Sequence, residues 1–328
     1  MTDLVTGGCG FIGSHLVDVL LARGRRVRVI DNLAVGRRAN LAHHDSHPHL
    51  TVIEADVADR EMMMRQIDGV ERVFHLAALA DIVPSVETPV AYFDANVNGT
   101  LSVLEAARAH KVRRLIYVAS SSCYGLAETV PTPETAPASP RYPYALTKYL
   151  GEQLVLHWAE LYGLPAASVR FFNIYGPRAR TSGTYGAVFG VFLAQLRAGK
   201  PLTIVGDGTQ SRDFTFVSDA VDGILCVADS DVVGEAFNVG TGAPVSINRL
   251  VEILGATQTV ALPRRPGEPD ITCADISKIR SRLGWTPKVP IEVGVKVMTD
   301  RLDAWRDAPV WTVDQIEIAT RDWFRYLK

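Results

Sequence analysis

The chain has 328 residues, of which 47% are hydrophobic and 21% charged, and its 34 basic and 36 acidic side chains leave a formal charge of -2. That length holds one or two domains with a full apolar core, and the near balance of charge excludes a polybasic nucleic-acid surface or an acidic tail. Cys9, Cys123, Cys226 and Cys273 lack paired spacing and no apolar run reaches membrane-spanning length, so the expectation is a cytoplasmic protein with no disulfide framework, structural zinc, leader or membrane anchor.

In chain order, Leu4-Val5-Thr6 reads as a strand, and Phe11 to Arg23 as an amphipathic helix that stops at Gly24. Between them lies Thr6-Gly7-Gly8-Cys9-Gly10-Phe11-Ile12-Gly13. Glycines at 7, 10 and 13 allow a tight turn, close approach to a pyrophosphate and close packing of helix on strand, and the helix N-terminus presents amides to the anion. Val27 to Ile30 forms a second strand that ends at Asp31, where a carboxylate can accept both hydroxyls of an adenosine ribose and repel a 2′-phosphate. NAD is therefore expected rather than NADP.

Thr51 to Ile53 and Arg72 to Leu76 are further strands; a helix from about Tyr92 to Ala109 leads into the strand Leu115 to Val118. After a proline-rich loop, Pro131 to Pro143, come a helix from Tyr144 to about Leu161 and the strand Ala167 to Phe171. This alternation predicts an α/β fold of Rossmann type, a doubly wound parallel sheet with its ligands at the carboxyl ends of the strands. After Tyr175 the rhythm breaks up. The expected division is an NAD-binding domain over 1–175 and a smaller α/β substrate-binding lobe over 176–328, interleaved with the first.

Tyr144 and Lys148 are four residues apart at the start of a helix and so share a face, with Pro143 suited to the first turn. A phenol is a poor base at its ordinary pKa of about 10, but a neighbouring ammonium stabilises the phenolate. Such a pair can take a proton from a sugar hydroxyl as hydride leaves for a nicotinamide. Ser120-Ser121-Ser122-Cys123-Tyr124-Gly125 ends the strand before it and directs hydroxyls toward the same crevice.

Together these segments resemble the extended short-chain dehydrogenase/reductases, and within them the NAD-dependent nucleotide-sugar epimerases and dehydratases, notably the UDP-glucose and UDP-N-acetylglucosamine 4-epimerases. The resemblance covers nearly the whole chain and extends to His75-Leu76-Ala77-Ala78, Asn96-Val97-Asn98-Gly99-Thr100, Arg170-Phe171-Phe172-Asn173, Arg212-Asp213-Phe214 and Arg265-Pro266-Gly267-Glu268. It implies that Gly7, Gly10, Phe11, Ile12 and Gly13 surround the pyrophosphate and that Asp31 and Asn32 meet the adenosine ribose. Asp56 and Val57 would contact adenine, and Leu76, Ala77, Ala78 and Asn96 the middle of the cofactor. Tyr144 and Lys148 would be base and orienter, with Phe172 beside the nicotinamide. Asn173, Arg212 and Arg265 would hold the nucleotide diphosphate, a task suited to planar guanidinium forks.

Ser120 would share its proton with the sugar O4, and Ser121 is close enough to be the partner instead. Dehydratases of this resemblance carry Asp and Glu where Ser121 and Ser122 stand, and a hydroxyl is a far poorer general acid. A 4-epimerase working through a transient 4-ketosugar is therefore expected, with a 4,6-dehydratase and a non-catalytic dinucleotide-sensing protein as alternatives. Thr272 stands where relatives restricted to plain hexoses carry a bulky gatekeeper, which leaves UDP-hexose, UDP-N-acetylhexosamine and UDP-uronic acid open as substrates. The helices near 92–109 and 144–161 resemble those that pair relatives into homodimers. His43, His44, His47 and His49 read as a solvated loop, Met62 to Met64 as helix packing, Cys123 as a small buried residue and the aromatic tail as docked on the second lobe; no metal is expected.

Overall fold

The computed structural model describes residues 1–179 and 186–327. In its first half, strands β1 (Thr2–Thr6), β2 (Arg26–Asp31), β3 (Leu50–Glu54), β4 (Arg72–His75), β5 (Arg114–Ser120) and β6 (Ala166–Phe171) are connected by helices. These are α1 (Phe11–Ala22), α2 (Arg60–Gln66), α3 (Ile82–Glu87), α4 (Pro89–Phe93), α5 (Gly99–Ala109) and α6 (Pro143–Tyr162). Next come β7 (Asn173–Tyr175), α7 (Val188–Arg197), β8 (Leu202–Val205), β9 (Ser211–Arg212), β10 (Phe214–Phe216), α8 (Val217–Ala228) and β11 (Ala236–Val239). The chain finishes with β12 (Val245–Ser246), α9 (Ile247–Ile253), β13 (Thr259–Leu262), α10 (Ser277–Leu283), α11 (Ile291–Thr299), α12 (Val313–Ala319) and α13 (Arg321–Tyr326).

Seven parallel strands form the main sheet in the order β11-β6-β5-β4-β1-β2-β3. The expected Rossmann-type sheet is thus present. Side chains alternate across it, as the period of two requires. Val5, Val29, Phe74 and Ile116 face α1 and α8, whereas Leu4, Ile30, Val73 and Leu115 face α2, α5 and α6. The chain runs outward from β1 in opposite directions, to β2 and later to β4, so the loops after β1 and β4 part and leave a crevice at their carboxyl ends. After the second lobe has begun, α8 and β11 return to this sheet, β11 pairing with β6. A separate core of Phe189, Phe192, Leu193, Leu202, Leu250, Trp305 and Ile316 holds the second lobe together.

Two local outcomes differ from the sequence expectation. The single helix expected near 92–109 starts earlier and is interrupted: α4 opens on Pro89, Asp94–Asn98 makes one wide π turn, and α5 follows. The π turn carries Asn96, whose side chain bonds both backbone groups of Leu79 and the hydroxyl of Thr147; such turns often adapt a helix to a site. The histidine stretch does not begin as loop either, because Arg38–His44 forms a 3-10 helix. Met62 and Met63 are buried in α2, whereas Met64 is exposed.

α6 carries a polar stripe, Tyr144, Lys148 and Glu152, into the interior. Glu152 is buried and receives a bidentate Arg170 (2.6 to 3.0 Å) and the Ser168 hydroxyl, both from β6. Arg170 Nη1 also donates to the Tyr124 hydroxyl, which donates to Asn238 on β11. Gly151 lets the Tyr117 hydroxyl approach α6 and donate to the Lys148 carbonyl; a Cβ at 151 would sit 2.4 Å from the Tyr117 hydroxyl oxygen. Breaking one member of a buried ion pair leaves an uncompensated charge, so Arg170→Met is expected to cost about 3–5 kcal/mol of stability. Urea unfolding checks this, and replacing Glu152 by Leu in the same chain should return much of the loss.

Candidate active site

A cavity of about 720 Å³ lies between the carboxyl ends of the strands and the second lobe. At one end the turn after β1 approaches β4 so closely that a Cβ on Gly7 (φ +69) would lie 2.8 Å from the Ala77 amide nitrogen, and one on Gly13 only 2.2 Å from the Gly7 carbonyl. α1 starts at extended Gly10 with no side-chain cap, so its first amides face the cavity as an anion cradle. Asp31 is held by the amides of Cys9 and Leu33, each at 2.9 Å, and burial raises its pKa against the pull of those two bonds. A Cβ on Gly36 would meet its carboxylate at 2.7 Å. Beyond it, Asn32 Nδ2 donates to Asp56 Oδ2 at 2.9 Å. A glycine cradle under a helix N-terminus, followed by a strand-end carboxylate, fits a dinucleotide.

His75 lies under the middle of the cavity floor, bonded to Thr6 and Thr100 through its two ring nitrogens, and burial drops its pKa to about 3. It is a neutral structural group. Cys123 is buried with its thiol pushed up to about 12 by burial, which keeps it an unreactive thiol.

At the reaction end, β5 finishes at Ser120 and turns into a 3-10 helix, Ser121–Tyr124. Tyr144, half-buried at the start of α6, lies beside Ser120. Burial raises its pKa, and the neighbouring Ser120 hydroxyl pulls it back down. Lys148 is 4% exposed, and its ammonium sits 4.3 Å from the centre of the Tyr117 ring. Burial lowers its pKa to about 7, opposed by the charge of Glu152 one turn further on.

The second lobe supplies the opposite wall. Thr272 Oγ1 donates to Asn173 Oδ1 at 3.1 Å, which ties two of the expected substrate residues together. Arg212 Nη2 donates to Glu268 at 2.8 Å. Beside it, buried Asp213 accepts four hydrogen bonds, two from Thr241 and one each from the amides of Gly242 and Ala274, which anchors the strand that presents Arg212. Arg265 stacks 5.6 Å from the Trp323 ring of α13, and Trp323 Nε1 donates to the Pro266 carbonyl. Trp305 docks in the second-lobe core as the aromatic tail was expected to, whereas Trp323 turns to the cavity.

All the expected site residues line this cavity except Asn96 and Lys148. Asn96 is buried behind it on Leu79 and Thr147, and so acts on the loop after β4. Sequence reasoning assigned no site role to Ser122, Tyr142, Gly36, Glu268, Trp311 and Trp323, all of which line it; Ser122 and Glu268 stood inside motifs already singled out, and Trp311 and Trp323 in the aromatic tail read as packing. Away from the cavity, Asp18 Oδ1 meets His43 and His44 Nε2 at 2.9 Å each, and its other oxygen accepts from Arg178.

The lowered Lys148 pKa has a consequence for stability. An unfolded lysine holds its proton to about pH 10.4, whereas the folded one releases it near 7, so the cost of burying the charge is greatest at and below pH 7 and fades as pH rises toward 10. Lys148→Met is therefore expected to raise the melting temperature of the cofactor-free protein at pH 7 and to raise it little at pH 9.5. Thermal unfolding at the two pH values checks this; equal gains would contradict it.

Comparison with known proteins agrees with this geometry. The model of the NAD dependent epimerase/dehydratase family matches residues 4–240. The UDP-glucose 4-epimerase of Mycolicibacterium smegmatis is 37% identical over 305 residues, 90% of this chain and 96% of the relative. A UDP-N-acetyl-alpha-D-glucosaminuronate decarboxylase of Bacillus cytotoxicus is 33% identical over 310 residues, 89% of this chain and 95% of the relative. Among solved structures, the UDP-glucose 4-epimerase of Thermotoga maritima with UDP-glucose superposes with a TM-score of 0.87 at 36% identity, covering 93% of this chain and 99% of that one. The chain belongs to the NAD-dependent epimerase/dehydratase family, whose members act on nucleotide sugars through an extended Rossmann-type fold.

Proposed function

We propose that this protein is a nucleotide-sugar 4-epimerase that works through a transient 4-ketosugar. The observation that carries the reading is the reaction end of the cavity, where Tyr144 faces Ser120 and the neighbouring turn holds Ser121 and Ser122 in place of carboxyl groups. The division of labour follows the cavity: residues 1–175 hold NAD and the lobe over 176–328 holds the nucleotide sugar.

NAD, when bound, supplies a hydride acceptor that can later return the hydride. Gly7, Gly10, Phe11, Ile12 and Gly13 bind its pyrophosphate with the α1 amides. Asp31 and Asn32 take the adenosine ribose, and Asp56 and Val57 the adenine. Leu76, Ala77 and Ala78 line the middle, Asn96 holds their loop, and Phe172 flanks the nicotinamide. Tyr144 removes the O4 proton and gives it back, while the ammonium of Lys148, one turn along α6, favours the phenolate. Ser120 hydrogen-bonds the reacting oxygens with Ser121 beside it. Arg212 and Arg265, with Asn173, hold the diphosphate while the ketosugar turns its other face.

A dehydratase or decarboxylase needs, beyond this, a group that moves a proton at C5 or C6. Among described residues the acids lining the cavity are Asp31, Asp56, Asp81 and Glu268. The first two are at the adenosine end, Glu268 is paired with Arg212, and none belongs to the Ser120–Tyr124 turn. Thr272 beside Asn173 leaves room for an N-acetyl group or other bulk at the sugar, which supports UDP-N-acetylhexosamine or UDP-uronic acid as well as a plain UDP-hexose. Val90, Phe93, Leu146 and Leu161 are exposed apolar side chains on α4 and α6, and they support a homodimer formed through these helices.

Incubation with UDP-, GDP- and dTDP-sugars, followed by proton NMR, tests the function. A new axial or equatorial H4 pattern supports the epimerase; a 6-methyl signal, carbon dioxide release or no change overturns it. Tyr144→Phe should lower kcat by roughly 10²–10⁴-fold with NAD affinity unchanged. In the same assay acetylated UDP-hexoses should turn over faster than plain ones, and Thr272→Tyr should reverse that order; equal rates would remove the role of Thr272. Sedimentation should find a dimer that Leu146→Glu dissociates.

A further inference from the structure

Away from the cavity, α1 carries a second cluster of polar side chains. Asp18 accepts at a single oxygen, Oδ1, from Nε2 of His43 and Nε2 of His44, each at 2.9 Å. Successive side chains of a 3-10 helix diverge by about 120°. The rings of His43 and His44, at the end of Arg38–His44, nevertheless fold to the same side, with centroids 4.1 Å apart. His47 packs edge-on against His44 at 5.7 Å, which braces that ring. The other Asp18 oxygen accepts from Arg178 Nη2 at 2.6 Å, and one turn earlier on α1 His15 Nε2 donates to the Pro177 carbonyl at 2.9 Å. Burial pushes the Asp18 carboxyl up, but Arg178, His43 and His44 together outweigh it, so its pKa is lowered and the group is a carboxylate.

We propose that Asp18, His43 and His44 form a binding site for a divalent metal ion of the zinc class. The three donor atoms lie within 4.8 Å of one another. Zinc bonds of about 2.0–2.2 Å in a tetrahedron set the donors about 3.3 Å apart, so each imidazole nitrogen needs to retreat from Oδ1 by only about half an ångström. Two imidazoles and a carboxylate suit zinc and disfavour magnesium or calcium, which take oxygen ligands. A neutral imidazole keeps its proton count on binding: Nε2 gives up its proton and takes the metal, and Nδ1 is protonated in its place. His43 is 47% exposed, which gives the ion an entry path and leaves its fourth position to water. Arg178 occupies Oδ2, so Asp18 ligates through one oxygen with its rotation fixed, as outer hydrogen bonds commonly fix metal-bound carboxylates. The ion joins the 3-10 helix after β2 to α1 and, through Asp18 and Arg178, to the segment whose next residue, Ala179, lines the cavity. This departs from the sequence expectation of no metal, because the carboxylate comes from a helix 25 residues before His43 and the histidine spacing does not reveal it.

Titration of the untagged, NAD-loaded protein with zinc, followed by calorimetry and thermal unfolding, tests the site. One Zn²⁺ per chain is expected, with a rise of a few degrees in melting temperature at saturation and none with Mg²⁺. His44→Gln and Asp18→Asn should each weaken binding by at least about 10-fold, whereas His47→Gln combined with His49→Gln should leave it unchanged. His44→Gln keeps the Asp18–Arg178 pair intact, so it remains informative even where Asp18→Asn folds poorly. Cobalt in place of zinc should give the strong visible absorption of a four-coordinate ion. No zinc binding, an equal response to Mg²⁺, unchanged affinity in His44→Gln or loss of binding in the His47 and His49 double variant overturns the site. The weak absorption of six-coordinate cobalt overturns its tetrahedral geometry. None of these measurements uses a sugar, so loss of the epimerase reading and loss of the metal site are separate results.

Discussion

The pairing of Arg170 with Glu152 is the constraint on which the rest of the site depends. α6 places Tyr144, Lys148 and Glu152 on successive turns of one face, and that face points into the sheet. A stripe of phenol, ammonium and carboxylate would be expelled from an apolar interior, since unpaired buried charge is costly. Arg170 answers Glu152 with a bidentate fork from β6, and the same guanidinium reaches Tyr124 at the end of the serine turn. One residue thus pins the helix that bears Tyr144 and the turn that bears the serines. Glu152 in turn tempers the burial cost of Lys148.

The same economy governs the substrate side. Asp213 is fully buried, yet four donors satisfy it, and it brings the chain near 241, the segment at 274 and Arg212 into one rigid corner. Arg212 is held against Glu268, and Arg265 against Trp323. Arg212 and Arg265 therefore have their directions set beforehand, which limits the side-chain entropy lost when a ligand binds. This explains how a chain of net charge -2 can serve anionic ligands: helix amides and a few placed guanidinium groups meet them locally, and no basic surface is needed.

Much of this was legible in the sequence, for definite reasons. Strands and helices of the first half alternate with clear periods, so β1 to β6, α1 and α6 came out within a few residues of their observed limits. The glycine loop and Asp31 are recognisable because their chemistry is local: the turn, the helix N-terminus and the strand end all lie within one βαβ unit. α5 was read without its π turn because that turn answers to Leu79 and Thr147, contacts that no helical periodicity encodes. Asn96 was taken for a residue facing the cofactor for the same reason. Tyr142 escaped notice and Trp323 was read as packing because an aromatic before a proline, or in a terminal helix, has no pattern that marks it as a site residue.

By itself, then, the sequence determined the parallel α/β fold, the dinucleotide loop, the tyrosine–lysine helix and the family, since all of these are written in short-range spacing and residue type. The tertiary structure alone decided how those parts act on one another. It showed that Asn96 supports the loop after β4, that Glu268 holds Arg212, that Trp323 of α13 stacks on Arg265, and that Ser120 and Ser122 are hydrogen-bonded to one another. Most of these contacts join residues far apart in the chain, and all depend on the direction of individual side chains. Direction is set by packing and hydrogen-bond satisfaction in three dimensions, and one-dimensional spacing does not specify it.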